Sequence, residues 1–116
     1  MPYHGLDVYR KSYRTALDIH KVCSQFPKTE QFELASQLRR STKSIPANIA
    51  EGMGKQSSKA EVRRFIYMAI GSCDESRVWL EFSKDLGYIG DSAFRVYEQR
   101  YVEIGKMLRG ILKRYE

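Results

Sequence analysis

The chain has 116 residues, with 42% hydrophobic and 29% charged, a balance that excludes a disordered segment and fits one domain spanning 1–116. Eight glycines and three prolines are too few for a turn-dense sandwich or a repetitive fibre. Twenty Lys and Arg against fourteen Asp and Glu leave +6, which favours polyanionic partners without fixing a fold.

Apolar spacing reads as helix almost throughout. The first predicted helix, residues 6–26, carries Tyr9, Tyr13, Ala16, His20 and Cys23 at steps of three and four, widened by Leu17 and Ile19. Phe26-Pro27 ends it, because a residue before proline is pushed out of the helical region. Thr29 is expected to cap a second helix over 30–53, with the stripe Leu34, Leu38, Ser41/Thr42, Ile45 and Ile49. Pro46 is expected to kink that helix without ending it, since Ile49 keeps the register. Gly52-Met53-Gly54 closes it.

A third helix over 58–86 opens on a capping box, Ser58-Lys59-Ala60-Glu61, and buries Val62, Phe65, Ile66, Ala69, Cys73, Ser76 and Leu80. Leu86-Gly87 reads as a left-handed stop, and Gly90-Asp91 starts the fourth helix, 91–115. There Phe94, Tyr97, Tyr101, Ile104, Leu108, Ile111 and Tyr115 repeat without a break. No useful alternating strand pattern occurs. The fold class expected is all-α, an antiparallel up-down-up-down four-helix bundle.

The third helix has a second apolar face. Tyr67, Val78 and Phe82 project opposite the core stripe, with Trp79 on the flank. A second apolar face implies a cover, so these four residues are the candidate oligomer interface.

The charge is unevenly placed. Residues 39–64 hold seven cations (Arg39, Arg40, Lys43, Lys55, Lys59, Arg63, Arg64) against Glu51 and Glu61, whereas 65–94 are net acidic. Arg10 and Arg14, with Lys21 beyond them, line the outer face of the first helix, and Arg95, Lys106, Arg109 and Lys113 that of the last. Cations one turn apart, about 5.4 Å, make ridges that follow a phosphate backbone, and their binding weakens with salt through counterion release. No zinc-finger, RNA-recognition or KH pattern is present, and nothing here reads bases. Structured RNA, held by shape and charge, is the partner expected, with DNA a further candidate.

Enzyme chemistry lacks its parts. The histidines are His4 and His20. His20 is expected in the core, three residues before Cys23, but the only other cysteine, Cys73, lies on another helix, short of a four-ligand metal site. Neither histidine belongs to a Glu-x-x-His di-iron motif. Gly52-Met53-Gly54-Lys55-Gln56-Ser57 lacks the spacing, the Ser/Thr after Lys and the strand of a phosphate loop. Asn48 and Glu51 are expected to satisfy backbone groups freed around Pro46. No metal, cofactor or catalytic residue is assigned. Two cysteines, the lack of a leader pattern and the lack of an 18-residue apolar run point to the cytoplasm and away from a membrane.

The run Gln37-Leu38-Arg39-Arg40-Ser41-Thr42-Lys43-Ser44-Ile45-Pro46-Ala47-Asn48-Ile49-Ala50-Glu51-Gly52 closely resembles the bacterial four-helix-bundle family of 23S rRNA intervening-sequence (S23) proteins. Leu6-Asp7-Val8-Tyr9, Phe26-Pro27, Ala69-Ile70-Gly71-Ser72 with Glu75, and Leu86-Gly87-Tyr88-Ile89 extend the resemblance over most of the chain. Tyr9 stands where the family usually has Trp, and Cys73-Asp74 replaces a small-apolar/Glu pair. The resemblance implies a ring-like homo-oligomer, typically a homopentamer, with no known enzymatic activity and an ill-defined association with RNA. The bundle is also similar to the accessory variability determinant proteins of diversity-generating retroelements, basic pentamers that bind nucleic acid and a reverse transcriptase. The function expected is therefore a non-catalytic scaffold gripping RNA as an accessory to a reverse transcriptase. The alternative is a protein-interaction ring associated with ribosomal RNA, in which Asp74, Glu75, Glu81 and Asp85 meet Arg39 and Arg40 of a neighbouring copy.

Overall fold

A computed structural model describes residues 2–116. After a 3-10 turn at Tyr3–Gly5, four helices follow: α1 (Asp7–Cys23), α2 (Leu34–Met53), α3 (Lys59–Asp85) and α4 (Asp91–Arg114), with a second 3-10 turn at Lys28–Glu30. No strand occurs among the described residues. Each helix packs on its neighbours in sequence, α2 against α3 most extensively, and α4 closes back on α1. The result is an antiparallel four-helix bundle 45 Å long.

The helix ends differ from expectation where local hydrogen bonds compete with α geometry. α1 stops at Cys23 because Ser24, Gln25 and Phe26 donate to carbonyls three residues back, a tight last turn ahead of Pro27. Gln31 then folds back, its amide donating to the carbonyls of Cys23 (2.9 Å) and Phe26 (3.0 Å). α2 therefore starts at Leu34 with Glu33 before it; Thr29 is exposed in the 3-10 turn and caps nothing. Only half of the capping box at α3 forms. Ser58 Oγ accepts from the Glu61 amide (3.2 Å), but the Ser58 amide goes to the Lys55 carbonyl and Glu61 turns to Arg64 instead. Gly87 takes φ +81°, the left-handed stop expected after α3.

The core stripes of α2 and α3 are those expected, and Tyr101, Ile104, Leu108 and Ile111 of α4 are buried while Phe94, Tyr97 and Tyr115 are half-buried. α1 is rotated from expectation by about 70°, less than one residue, so that Ala16, Ile19 and Cys23 stay buried while Tyr13, Leu17 and His20 turn outward. Its buried positions are Val8, Ser12, Thr15, Ala16, Ile19 and Cys23. Ser12 and Thr15 enter the core because their hydroxyls donate to the carbonyls of Tyr9 (3.0 Å) and Lys11 (2.8 Å), leaving no polar group stranded. Tyr13 and Leu17 are about half exposed, and His20 lies at the surface, not in the core.

α2 runs through Pro46 unbroken. Asn48 bonds one turn back to the carbonyl (2.9 Å) and hydroxyl (3.0 Å) of Ser44, whereas Glu51 is exposed. Ser44 also meets Ser72 Oγ at 2.9 Å, and Ser41 meets Ser76 Oγ at 2.9 Å, so a seam of hydroxyls registers α2 against α3. At the turn between them, a Cβ on Gly52 would stand 3.1 Å from Phe65 Cβ; only glycine lets the two helices close so tightly.

Candidate nucleic-acid interface

Antiparallel packing gathers charge that the linear sequence scatters. The start of α1, the α2–α3 turn and the end of α4 share one end of the bundle, where Tyr115 donates to the side chain of Gln56 at 2.9 Å. Divided at the helix midpoints, this half comprises residues 2–14, 44–71 and 103–116. It holds eleven Lys and Arg against five Asp and Glu, a net +6; residues 15–43 and 72–102 hold nine against nine, a net zero. The whole net charge of the chain lies at one end.

Of the thirteen expected contact residues, Arg10, Arg14, Lys55, Lys59, Arg63, Arg64, Lys106, Arg109 and Lys113 fall in the basic half. Arg39, Arg40, Lys43 and Arg95 fall in the other. Only Arg10 (with Asp7) and Arg64 (with Glu61, 3.0 Å) are in ion pairs among the described residues. Arg39 is half-buried and donates to the side-chain oxygen of Gln31, and Arg63 is half-buried with its Nε covered, so both are partly spent on the fold. Lys55 lies 5.6 Å from the Phe65 ring centroid while remaining exposed. Arg14, Arg40, Lys43, Lys59, Arg95, Lys106, Arg109 and Lys113 are exposed and form no salt bridge among the described residues.

The cations that staple helices together are others. Lys11 pairs with Glu103 and Arg100 with Asp18 across α1 and α4, and Arg77 meets Glu98 across α3 and α4. The hydrogen bond from Arg77 is the main reason its pKa is raised. Arg114, in the basic half near Gly5 and Asp7, is a cation that face-by-face reading passed over; its neighbour Lys113 was the signal.

α1 and α2 also enclose a groove of about 450 Å³, lined by Tyr9, Tyr13, Ala16, Leu17, His20, Lys43, Pro46, Ala47 and Ala50. It exists because α1 is rotated so that its tyrosines face outward. Tyr9 and Tyr13 stack with ring centroids 5.9 Å apart. Lys43, then loss of hydration, then Arg39 hold the His20 pKa below the ordinary histidine range. Loss of hydration pushes both thiols, Cys23 and Cys73, up to about 11, so neither supplies a thiolate nucleophile near neutrality. Among the described residues, no group of three or more His, Cys, Asp and Glu could hold a metal ion, and no helix is long and apolar enough to cross a membrane.

Residues 4–110 match the family described as 23S rRNA-intervening sequence protein. The chain belongs to that family. It is similar along 97% of its length to a protein of unknown function from the S23 ribosomal protein family of Bacteroides thetaiotaomicron, with 28% identity, a TM-score of 0.85 and 99% of that chain covered. No curated protein matches the chain. The basic end, where Arg14, Lys59, Lys106, Arg109 and Lys113 are exposed and form no salt bridge among the described residues, is the main concentration of positive charge on the bundle.

Proposed function

We propose that the protein is a non-catalytic scaffold that grips structured RNA with the basic half of its bundle and does so as a ring-like homo-oligomer, a homopentamer. The observation that carries this reading is the +6 gathered at one end on side chains largely free of carboxylates. Phosphates displace counterions from such a surface without any base being read. A ring multiplies one weak patch into several, and linked contacts hold an extended ligand far better than one. In the reading we favour, the scaffold serves a reverse transcriptase in a retroelement ribonucleoprotein. The family's description favours a second reading, association with ribosomal RNA. A reverse-transcriptase gene with variable repeats beside the coding sequence would support the first, and a ribosomal RNA operon the second.

Fluorescence anisotropy with a structured RNA across a salt series is the direct test. With about four phosphates neutralised, affinity falls by about two orders of magnitude between roughly 50 and 200 mM salt. No binding at low ionic strength, or binding indifferent to salt, refutes the proposal.

A further inference from the structure

We infer that the outer face of α3 on one copy seats in the α1–α2 groove of the next, so that subunits join head to tail. This rests on the assembly part of the proposed function and is independent of RNA. α3 presents Tyr67, Val78 and Phe82 about half exposed, and on the same face Asp74, Glu81 and Asp85. Asp74 and Glu81 form no ion pair among the described residues, and Asp85 only reaches Lys84 at 3.6 Å. The groove offers the complement: a floor of Ala16, Pro46, Ala47 and Ala50, apolar walls, and Lys43 at one end. Arg14 and Lys21, one turn either side of the groove residue Leu17 on α1, are exposed and also form no ion pair among the described residues. An acid-rimmed apolar stripe therefore faces a cation-rimmed apolar trough.

The stripe is longer than the trough by about one helical turn. Tyr67 to Phe82 covers about 22 Å of helix and Tyr9 to His20 about 16 Å, at 1.5 Å per residue. Gly71, between Tyr67 and Asp74, has open space where a Cβ would stand, so a partner helix can come close there. Because α3 packs on α2 and α4 while the groove lies between α1 and α2, the two surfaces are on different sides of the bundle. Such a contact is not the self-complementary patch of a two-fold pair; it repeats from copy to copy, and the ring of the proposed function is the closed form of that repeat.

Two variants isolate the two surfaces. Phe82→Asp removes an apolar knob and leaves the groove, and Leu17→Asp spoils the groove and leaves the stripe; both residues are half exposed, and circular dichroism confirms each fold. Native mass spectrometry should find each variant monomeric where the wild type assembles, and a mixture should form a one-to-one heterodimer and nothing larger. Charge exchange gives an arm that does not depend on the apolar variants folding. Lys43→Glu and Asp74→Lys should each weaken assembly at least tenfold, and the double variant should restore it. A monomeric wild type, undiminished assembly by Leu17→Asp or Phe82→Asp, a mixture that stays monomeric, or a double variant no better than the singles overturns the inference. RNA binding lost in an assembled wild type overturns the RNA reading and leaves this one standing.

Discussion

The two halves of the bundle are built alike and charged unlike. Both are lined by the same core, with Ile66 in one and Leu80 in the other nearly inaccessible. Both carry many cations, eleven in one and nine in the other. What differs is the placement of acids: five against nine, with Asp74, Glu75, Glu81 and Asp85 gathered on α3 beyond its midpoint. Stability is thus distributed along the whole bundle while electrostatic potential is concentrated at one end. The acidic part of α3 and the basic end of the bundle are thereby kept apart.

The comparison would break first at the core. Ile66→Ala and Leu80→Ala should each cost about 2–5 kcal/mol of folding free energy, measured by denaturant unfolding, with neither half privileged. A large loss from one and almost none from the other would mean that the halves fold separately.

Charge reversal sharpens the contrast next. Replacing Lys55, Lys59 and Lys113 together with Glu should lower RNA affinity about a hundredfold and flatten its salt dependence. The same change at Lys28, Arg40 and Arg95 should move it by no more than about threefold, because the surrounding potential is already balanced. Equal losses from both triples, by anisotropy at one salt concentration, would erase the distinction.

The smallest effect is at His20. Its proton is disfavoured by Lys43 first and by burial and Arg39 after it. The unfolded chain therefore takes up the proton at a higher pH than the folded one. His20 costs nothing above the ordinary histidine range and destabilises the fold as the pH falls through that range towards its own lower value. A histidine-resolved NMR titration should find the His20 pKa depressed, and Lys43→Gln should raise it towards the ordinary range.

Much of the architecture was legible in the residues. The unbroken spacing of Tyr101, Ile104, Leu108 and Ile111 and the glycine stop at Gly87 mark helices and their ends through local geometry alone. The orientation of α1 was not legible, because pattern reading ranks tyrosine above serine for the core. Ser12 and Thr15 reverse that ranking by satisfying their hydroxyls within the helix. With that rotation goes the groove, whose lining residues look like core when read along α1 alone. Tyr67, Val78 and Phe82 could be read as outward because their angle on α3 is fixed by 3.6 residues per turn. Trp79 reads less simply: it is half-buried, and its indole N–H donates to Glu75 at 3.0 Å.

By itself the sequence determined the four helices, their order, the buried faces of α2 and α3 and the supply of surplus cations, since each follows from residue type and spacing within a few turns. Only the tertiary structure decided which way α1 faces, which cations are spent on Asp and Glu across helices, and that three separate stretches pool the whole +6 at one end. Those outcomes depend on antiparallel chains lying side by side, and contacts between residues as far apart as Lys11 and Glu103 leave no trace in local periodicity.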